Sequence, residues 1–395
     1  METLIELYDE RAIENILGPD MFRPRQLVFL CPQEVAQSRE RKDSITRFLR
    51  HRGLEAPIDF IECSFYKSDR ILAQLRRIYK EYGECVLDVT GGTDAALFAA
   101  GMFCKETKTP AFTFSRKRNR FYDISGAGFA DNLPCDLVYK VEEFFQMAGG
   151  TMRKGRVDNA ILCKYMDKYD AFFALFLQYR KKWVDFITFM TRISQNFGPA
   201  EEPLLVEGHY YQKGERGSRI PADPDLLWGL EEIGFIYNLE IDPGERVSFT
   251  FSDYQIRAWL RDVGSVLELY MYKACVDADI FNDVISSAIV DWDGTVSHES
   301  VSNEIDVVAS RGIVPIFISC KATEVKTEAL NELAILKERF GGKNAKAAIV
   351  TTEHCNAAAR HRAAQLGIAV IDLEELSAGL APERIKVIMK VKEAI

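Results

Sequence analysis

The stretch NEIDVVASRGIVPIFISCKAT, residues 303–323, reads as two short apolar strands joined by a turn. Asp306 lies inside the first strand, and Lys321 closes the second. Side chains alternate along a strand, so Glu304 and Asp306 share one face, as do Ser319 and Lys321. With the turn centred near 311–313, Asp306 lies opposite Ser319 and Glu304 opposite Lys321. All four converge on one patch. A helix over 325–340 follows, stopped at Phe340-Gly341-Gly342. Then come a strand at KAAIVTT, a helix over 354–366 and a strand at IAVIDLEEL. A helix from Asp253 to about Ala278 precedes the hairpin. Together these make an α/β unit over 253–395.

Working towards the N-terminus, residues 226–252 predict a helix, a glycine, a strand, a DPGE turn and a second strand, like the wing of a winged-helix module. The polar stretch 209–225 reads as a loop. Residues 136–200 are long, helical and rich in aromatic side chains. The segment 136–252 is therefore expected to connect two α/β domains. Residues 1–135 alternate strand and helix, which predicts a mostly parallel sheet with helices on both faces. The strands are ETLIELY, QLVFLC, IDFIEC and ECVLDVT, with a long amphipathic helix expected from Glu34 to His51. Right-handed crossovers make this a Rossmann-like core.

In that first domain LDVTGGTDAALFAA sets Thr90, Gly91, Gly92, Thr93 and Asp94 between a strand and a helix N-terminus. Unpaired backbone N–H groups and the helix dipole make such a turn a ready anion site. Ligands of open α/β sheets sit at the carboxyl ends of strands. The end of the first strand, Asp9, Glu10 and Arg11, is expected on the same edge. The turn matches neither GxGxxG nor the Walker pattern, so no dinucleotide or nucleoside triphosphate fingerprint is present. A plain tight turn would look the same.

The length of 395 residues calls for two or three domains, and no run of eighteen uncharged apolar residues implies a membrane span. METLIELYDER lacks a signal-peptide pattern. Nine scattered cysteines without a CxxC pair, and five scattered histidines, argue against a zinc site or a disulfide framework. A reducing cytoplasm is expected. The net charge of −9 limits nucleic-acid contact to local patches: RKRNR (116–120), MRKGR (152–156) and YRKK (179–182). Each of these would also serve as an ordinary solvated face.

Asp306 and Lys321 on paired strands, the acid facing the residue two before the lysine, form the arrangement of PD-(D/E)xK nucleases. There carboxylates hold Mg²⁺ or Mn²⁺, and the metal activates water. The lysine places that water and stabilises charge on phosphate. The chain departs from the pattern at Ser319, where a second carboxylate is expected. Glu332 on the following helix, Glu268 in GSVLELYMYKA and the backbone carbonyl of Cys320 are the candidate replacements. A surface Asp–Lys pair of little energetic worth is the competing account.

Together ETLIELYDERAIENIL, LDVTGGTDAA and NEIDVV…FISCK…ELA…FGG resemble the CARF-domain nucleases of type III CRISPR systems, the Card/Can type. The resemblance covers nearly the whole chain. It implies an N-terminal CARF domain that senses cyclic oligoadenylate, above all cyclic tetra-adenylate, and a C-terminal restriction-endonuclease-like domain. It implies a homodimer around the symmetric ring, with ring phosphates on Thr90–Thr93 and Asp94, and with Asp9, Glu10 and Arg11 lining the same pocket. It also implies Mn²⁺ or Mg²⁺, held by Asp306, Cys320 and Glu332 or Glu268. The substrate of the family is DNA, nicked as duplex or degraded as single strands, with RNA cut by some members. A second expectation stands beside this one: a ligand-responsive regulator that binds nucleic acid through the wing-like segment and carries a degenerate nuclease fold.

Overall fold

The computed structural model describes residues 1–153, 159–195, 204–214, 217–292 and 302–390. The expected basic patch at 152–156 lies partly outside them.

The N-terminal sheet has seven strands: β1 Thr3–Leu7, β2 Gln26–Cys31, β3 Ile58–Glu62, β4 Cys85–Asp88, β5 Ala111–Ser115, β6 Arg120–Asp123 and β7 Leu133–Pro134. Their order is β3-β2-β1-β4-β5-β6-β7, parallel through β5 and antiparallel beyond it. β1 lies between β2 and β4, so the chain leaves β1 and β4 at a topological switch point, where the loops on either side diverge and open a crevice. The helix expected over 34–51 is two helices, Gln33–Ala36 and Arg39–His51. Ser38 interrupts it, because its side chain accepts from Arg41 N and caps the second helix.

In chain order β8 is Thr151–Arg153, β9 Leu205–His209, β10 Tyr211–Lys213, β11 Arg219–Pro221, β12 Ile236–Asp242 and β13 Arg246–Phe251. β12, β13 and β9 form a three-stranded antiparallel sheet, which is the expected wing with one strand more. The stretch 209–225 is not a plain loop, since β10 and β11 pair within it. Alternation was obscured there by the polar side chains that a solvent-facing ribbon allows.

The C-terminal sheet contains β14 Asp283–Asp291, β15 Ser302–Arg311, β16 Val314–Lys321, β17 Lys346–Thr351 and β18 Ala369–Ile371, in the order β18-β17-β16-β15-β14-β8. β14 precedes the hairpin and was not anticipated. β8 pairs with β14, so residues ahead of the aromatic helices complete this sheet. The helix expected over 253–278 is broken into Tyr254–Trp259 and Ser265–Asp277. Asp372 ends the last strand early by capping a helix at Leu373–Ser377.

Two apolar layers sandwich this sheet. Val307, Ala309, Ile316, Ile318 and Cys320 pack with the Ser265–Asp277 helix and the aromatic middle segment. Val308 and Phe317 pack with Leu330, Leu333 and Leu336 of the Thr327–Gly341 helix on the opposite face. The tip of the β15–β16 hairpin belongs to neither layer. Ile313 is buried in the core of the N-terminal domain, Tyr139 N donates to Gly312 O at 3.0 Å, and Ser310 Oγ donates to Tyr139 O at 2.8 Å. The hairpin thus joins the two domains directly.

Candidate functional site

The hairpin register follows the expectation. Val307 pairs with Ile318 and Arg311 with Val314, a frame that sets Asp306 across from Ser319. The turn is Gly312–Ile313, with Gly312 at φ +56, which glycine adopts without strain. The ladder stops at Val307. Beyond it the Asp306 carboxylate replaces a ladder acceptor: Oδ2 takes Cys320 N at 2.5 Å and Ser319 Oγ at 3.3 Å. Lys321 Nζ stands 3.9 Å from the same oxygen.

Strict alternation fails at this point. Ile305 and Val308 pack into one layer while Val307 and Ala309 face the other. The partner strand shows why. Ser287 has φ +54, and the β14–β15 ladder skips the Ser287–Asp306 pair. The local irregularity turns Asp306 and Glu304 towards the Ser265–Asp277 helix, as β-bulges near active sites do. Ser287 Oγ donates to Glu304.

Glu268, in the first turn of that helix, meets them there. Burial, then Asp306, Asp262 and Glu304, push its carboxyl up to about 8, against the opposing effect of Lys321. Burial also raises Asp306, while Lys321 and the hydrogen bonds from Cys320 N and Ser319 hold it down. Asp262, two residues before the N-cap Gly264, accepts Ser265 N and Oγ, each at 2.8 Å, and so satisfies the first amide of the helix. Of the two candidate replacements for the missing carboxylate, the fold therefore brings Glu268 to Asp306 and Lys321 and leaves Glu332 elsewhere. Glu332 is exposed on the helix of the opposite layer and accepts Asn303 Nδ2 at 2.7 Å. Two helices on opposite faces cannot both reach one strand end, and spacing along the chain does not say which face a helix covers.

Among the described residues no three His, Cys, Asp or Glu side chains converge tightly enough to chelate an ion unaided. The donors that do converge fit a hard dication that keeps part of its water shell. They are the carboxylates of Glu268 and Asp306 and the main chain at Cys320. Like charge crowded against a buried carboxyl is a state that a cation relieves.

At the other end of the molecule the two N-terminal loops do share an edge. A Cβ on Gly91 would lie 2.9 Å from Asp9 Cβ and 2.9 Å from Leu7 O, so only glycine lets the turn pack on the end of β1. Gly92 has φ +94. Thr90 Oγ1 accepts Phe114 N at 3.0 Å, and Thr93 Oγ1 donates to Phe65 O at 3.1 Å and caps the helix Asp94–Thr107 by accepting Ala96 N at 3.3 Å. Both hydroxyls hold the turn in shape. Asp94 is exposed in the first helical turn and adds negative charge there. Asp9 holds Arg11, accepting its Nε at 2.8 Å and Nη2 at 2.9 Å, and Glu10 pairs with Arg41 at 3.4 Å. Two cations beyond the expected set stand nearby: Arg41, and Arg116, which is bonded to the buried Glu14. Arg116 was visible in the sequence only as part of a basic patch.

Beneath the turn Glu6 and Asp88 are fully buried side by side, and Glu6 Oε1 and Asp88 Oδ2 lack a donor. Burial, with Asp88 beside it, raises Glu6 well above the carboxylate range, and burial raises Asp88 to about 6. A proton shared between the two carboxyls would supply the missing donor. Asp88 Oδ1 accepts Thr90 N at 2.7 Å and so positions the turn.

A nuclease fold with a carboxylate pair and a lysine at one strand end is the class that these features define. Residues 257–383 match the family described as the Card1-like endonuclease domain. No curated protein sequence matches the chain. Two solved structures share its fold almost end to end. One is protein VC1899 from Vibrio cholerae, 16% identical, with TM-score 0.73 and 98% of each chain covered. The other is Can2 from Sulfobacillus thermosulfidooxidans in complex with cyclic tetra-adenylate, 19% identical, with TM-score 0.70, covering 98% of this chain and 99% of that one. The resemblance read from the sequence is borne out, as is the α/β fold with a Rossmann-like N-terminal part and an endonuclease-like C-terminal part. No described helix is long and apolar enough to cross a membrane.

Proposed function

We propose that this protein is a metal-dependent nuclease of type III CRISPR antiviral defence, switched on by a cyclic oligoadenylate. The observation that carries the nuclease half is the meeting of Asp306, Lys321 and Glu268 at the end of β16, inside a Card1-like endonuclease domain. Glu268, Asp306 and the Cys320 carbonyl would hold Mn²⁺ or Mg²⁺. A bound dication supplies an activated water and a Lewis acid for phosphodiester hydrolysis. Lys321 places its ammonium where charge grows on the phosphate. Ser319 orients Asp306 through its hydroxyl.

The sensing half rests on the shared edge of Asp9–Arg11 and Thr90–Asp94, and on fold likeness to a protein solved with cyclic tetra-adenylate. Residues 1–135 sense the ring, 253–395 cut, and 136–252 connect. The exposed Leu97, Phe98 and Met102 on the helix that follows the turn suit a two-fold homodimer around a symmetric ring. Ile313 gives ring binding a lever on the catalytic hairpin. The setting is the cytoplasm, and the substrate is DNA, with RNA as a second substrate.

The alternative, a ring-responsive regulator with a dead nuclease, draws on Ser319, and Lys321 beside Asp306 counts against it. The deciding experiment incubates the purified chain with supercoiled plasmid, single-stranded DNA and RNA in Mn²⁺, with and without cyclic tetra-adenylate. Ring-dependent cleavage that Asp306→Asn abolishes is the expected result. Metal-independent duplex binding without cleavage would favour the regulator.

A further inference from the structure

A second cleft, of about 500 Å³, opens beside the candidate active site. Ala322, Thr323 and Glu324, which directly follow Lys321, line it, as do Glu353 and His354 just past the end of β17. β16 and β17 run parallel, so both wall segments lie at carboxyl ends. The third wall comes from the middle segment: Phe176, Arg180, Lys181, Trp183 and Val184, with Val263 one residue beyond Asp262.

The walls are fastened. Thr351 Oγ1 donates to Thr323 O at 2.7 Å, Trp183 Nε1 to Val263 O at 3.3 Å, and Arg180 Nη1 to Thr352 O at 2.8 Å. Their chemistry is split. The turn Arg180–Lys182 offers cations, and Lys181 is exposed with no partner among the described residues. The opposite wall offers Glu353 and His354, also without side-chain partners among the described residues, while Glu324 accepts Asn356 Nδ2 at 2.7 Å. Val184 and Val263 expose apolar surface between them, backed by the buried Phe176 and Trp183.

We infer that this cleft receives one unpaired nucleotide of the substrate strand, next to the phosphate that is cut. This rests on the nuclease reading. Arg180 and Lys181 take its phosphate. The apolar surface takes the flat faces of its base. Glu353, His354 and Thr323 meet the base edge, where a carboxylate accepts from an exocyclic amine. Glu353 also keeps phosphate away from that end, so the strand enters in one direction. A paired base hides its edge inside the helix and would have to flip out to reach these walls. The cleft therefore favours single strands, DNA or RNA alike, over duplex.

The test measures binding, not cutting. Labelled single-stranded DNA, single-stranded RNA and duplex DNA of one sequence are titrated into the full-length Asp306→Asn protein with cyclic tetra-adenylate present. Lys181→Glu and the pair Arg180→Ala with Lys181→Ala are then added to that background. The expected result is about a tenfold loss of affinity for single strands. It comes with a salt dependence flatter by about 0.7 per charge removed, and little change on duplex. The DNA and RNA arms show which sugar the cleft accepts. Arg180 also pins Thr352, so Lys181→Glu, at an exposed and unpartnered site, separates binding from folding. Unchanged single-strand affinity and slope in both variants would overturn the inference, as would an equal loss on duplex. Cleavage by the unmodified chain decides the nuclease reading independently.

Discussion

In the proposed site Asp306 would hold its ligand through one carboxylate oxygen. Its Oδ2 is spent on Cys320 N and Ser319 Oγ, which leaves Oδ1 for a ligand. In the proposed site Ser319, the departure from the nuclease pattern, would thus serve as a positioning group, and Glu268 would contribute the second carboxylate. Glu268→Gln should lower cleavage about 100-fold while ring binding, read by calorimetry, stays intact. Glu332→Gln should stay within about threefold of the parent, since Glu332 engages Asn303 on the other side of the sheet. Equal losses in the two variants would contradict the placement of the site. Glu6 and Asp88 make a pH prediction. Both are raised in the folded chain, so their contribution to stability is complete below the unfolded carboxylate value. The share of Asp88 is lost as pH climbs through about 6, and that of Glu6 as pH climbs through its own raised value. The N-terminal domain should therefore melt at a higher temperature at about pH 5 than at about pH 7. Glu6→Gln, which gives Asp88 a permanent donor, should flatten the difference. A melting temperature equally pH-dependent in parent and variant would rule out the shared proton.

At the scale of elements, two local breaks build the site. The interruption between Trp259 and Ser265 lets Asp262 accept the first amide of the second helix, which steadies the turn that carries Glu268. Asp262→Ala, which removes the hydrogen bonds to Ser265, should cost about 1 kcal/mol of stability, seen in urea denaturation, and should reduce cleavage by loosening that turn. Unchanged stability would mean that these bonds carry no weight. The second break is the left-handed Ser287 opposite Asp306. Neither break has a strong mark in the sequence. DVGS reads as easily through a helix as across its end, and a serine in a strand announces no change of face. The hairpin register, by contrast, was legible from Val307 to Ile318. A period of two and a glycine turn leave few ways to pair the strands.

At the scale of the molecule, the catalytic hairpin spans both domains. Its tip, Ile313, is buried in the N-terminal core, and its open end holds Asp306 and Lys321. Ile313→Ala, which costs roughly 2–4 kcal/mol as a cavity, should weaken ring-stimulated cleavage while leaving ring affinity near the parent's. Full ring stimulation in that variant would show that the signal travels another way. Phe98, 64% exposed on the helix behind the turn, belongs to the proposed dimer face. Phe98→Asp should yield monomers by sedimentation and abolish activation by the ring. A dimer that survives the change would place the interface elsewhere.

From the residues alone came most of the order of strands and helices, the pairing of Asp306 with Ser319, and the two loops that meet at one sheet edge. Each depends on short-range periodicity or on which strand end a turn follows. Tertiary packing alone chose Glu268 over Glu332, because only the side of the sheet that a helix covers determines which of its carboxylates reaches the strand end. Packing also set the hairpin tip into the neighbouring domain and raised the cleft wall of Arg180 and Lys181 beside Lys321. The hairpin tip and the cleft wall join residues more than a hundred positions apart, where no local pattern carries the information.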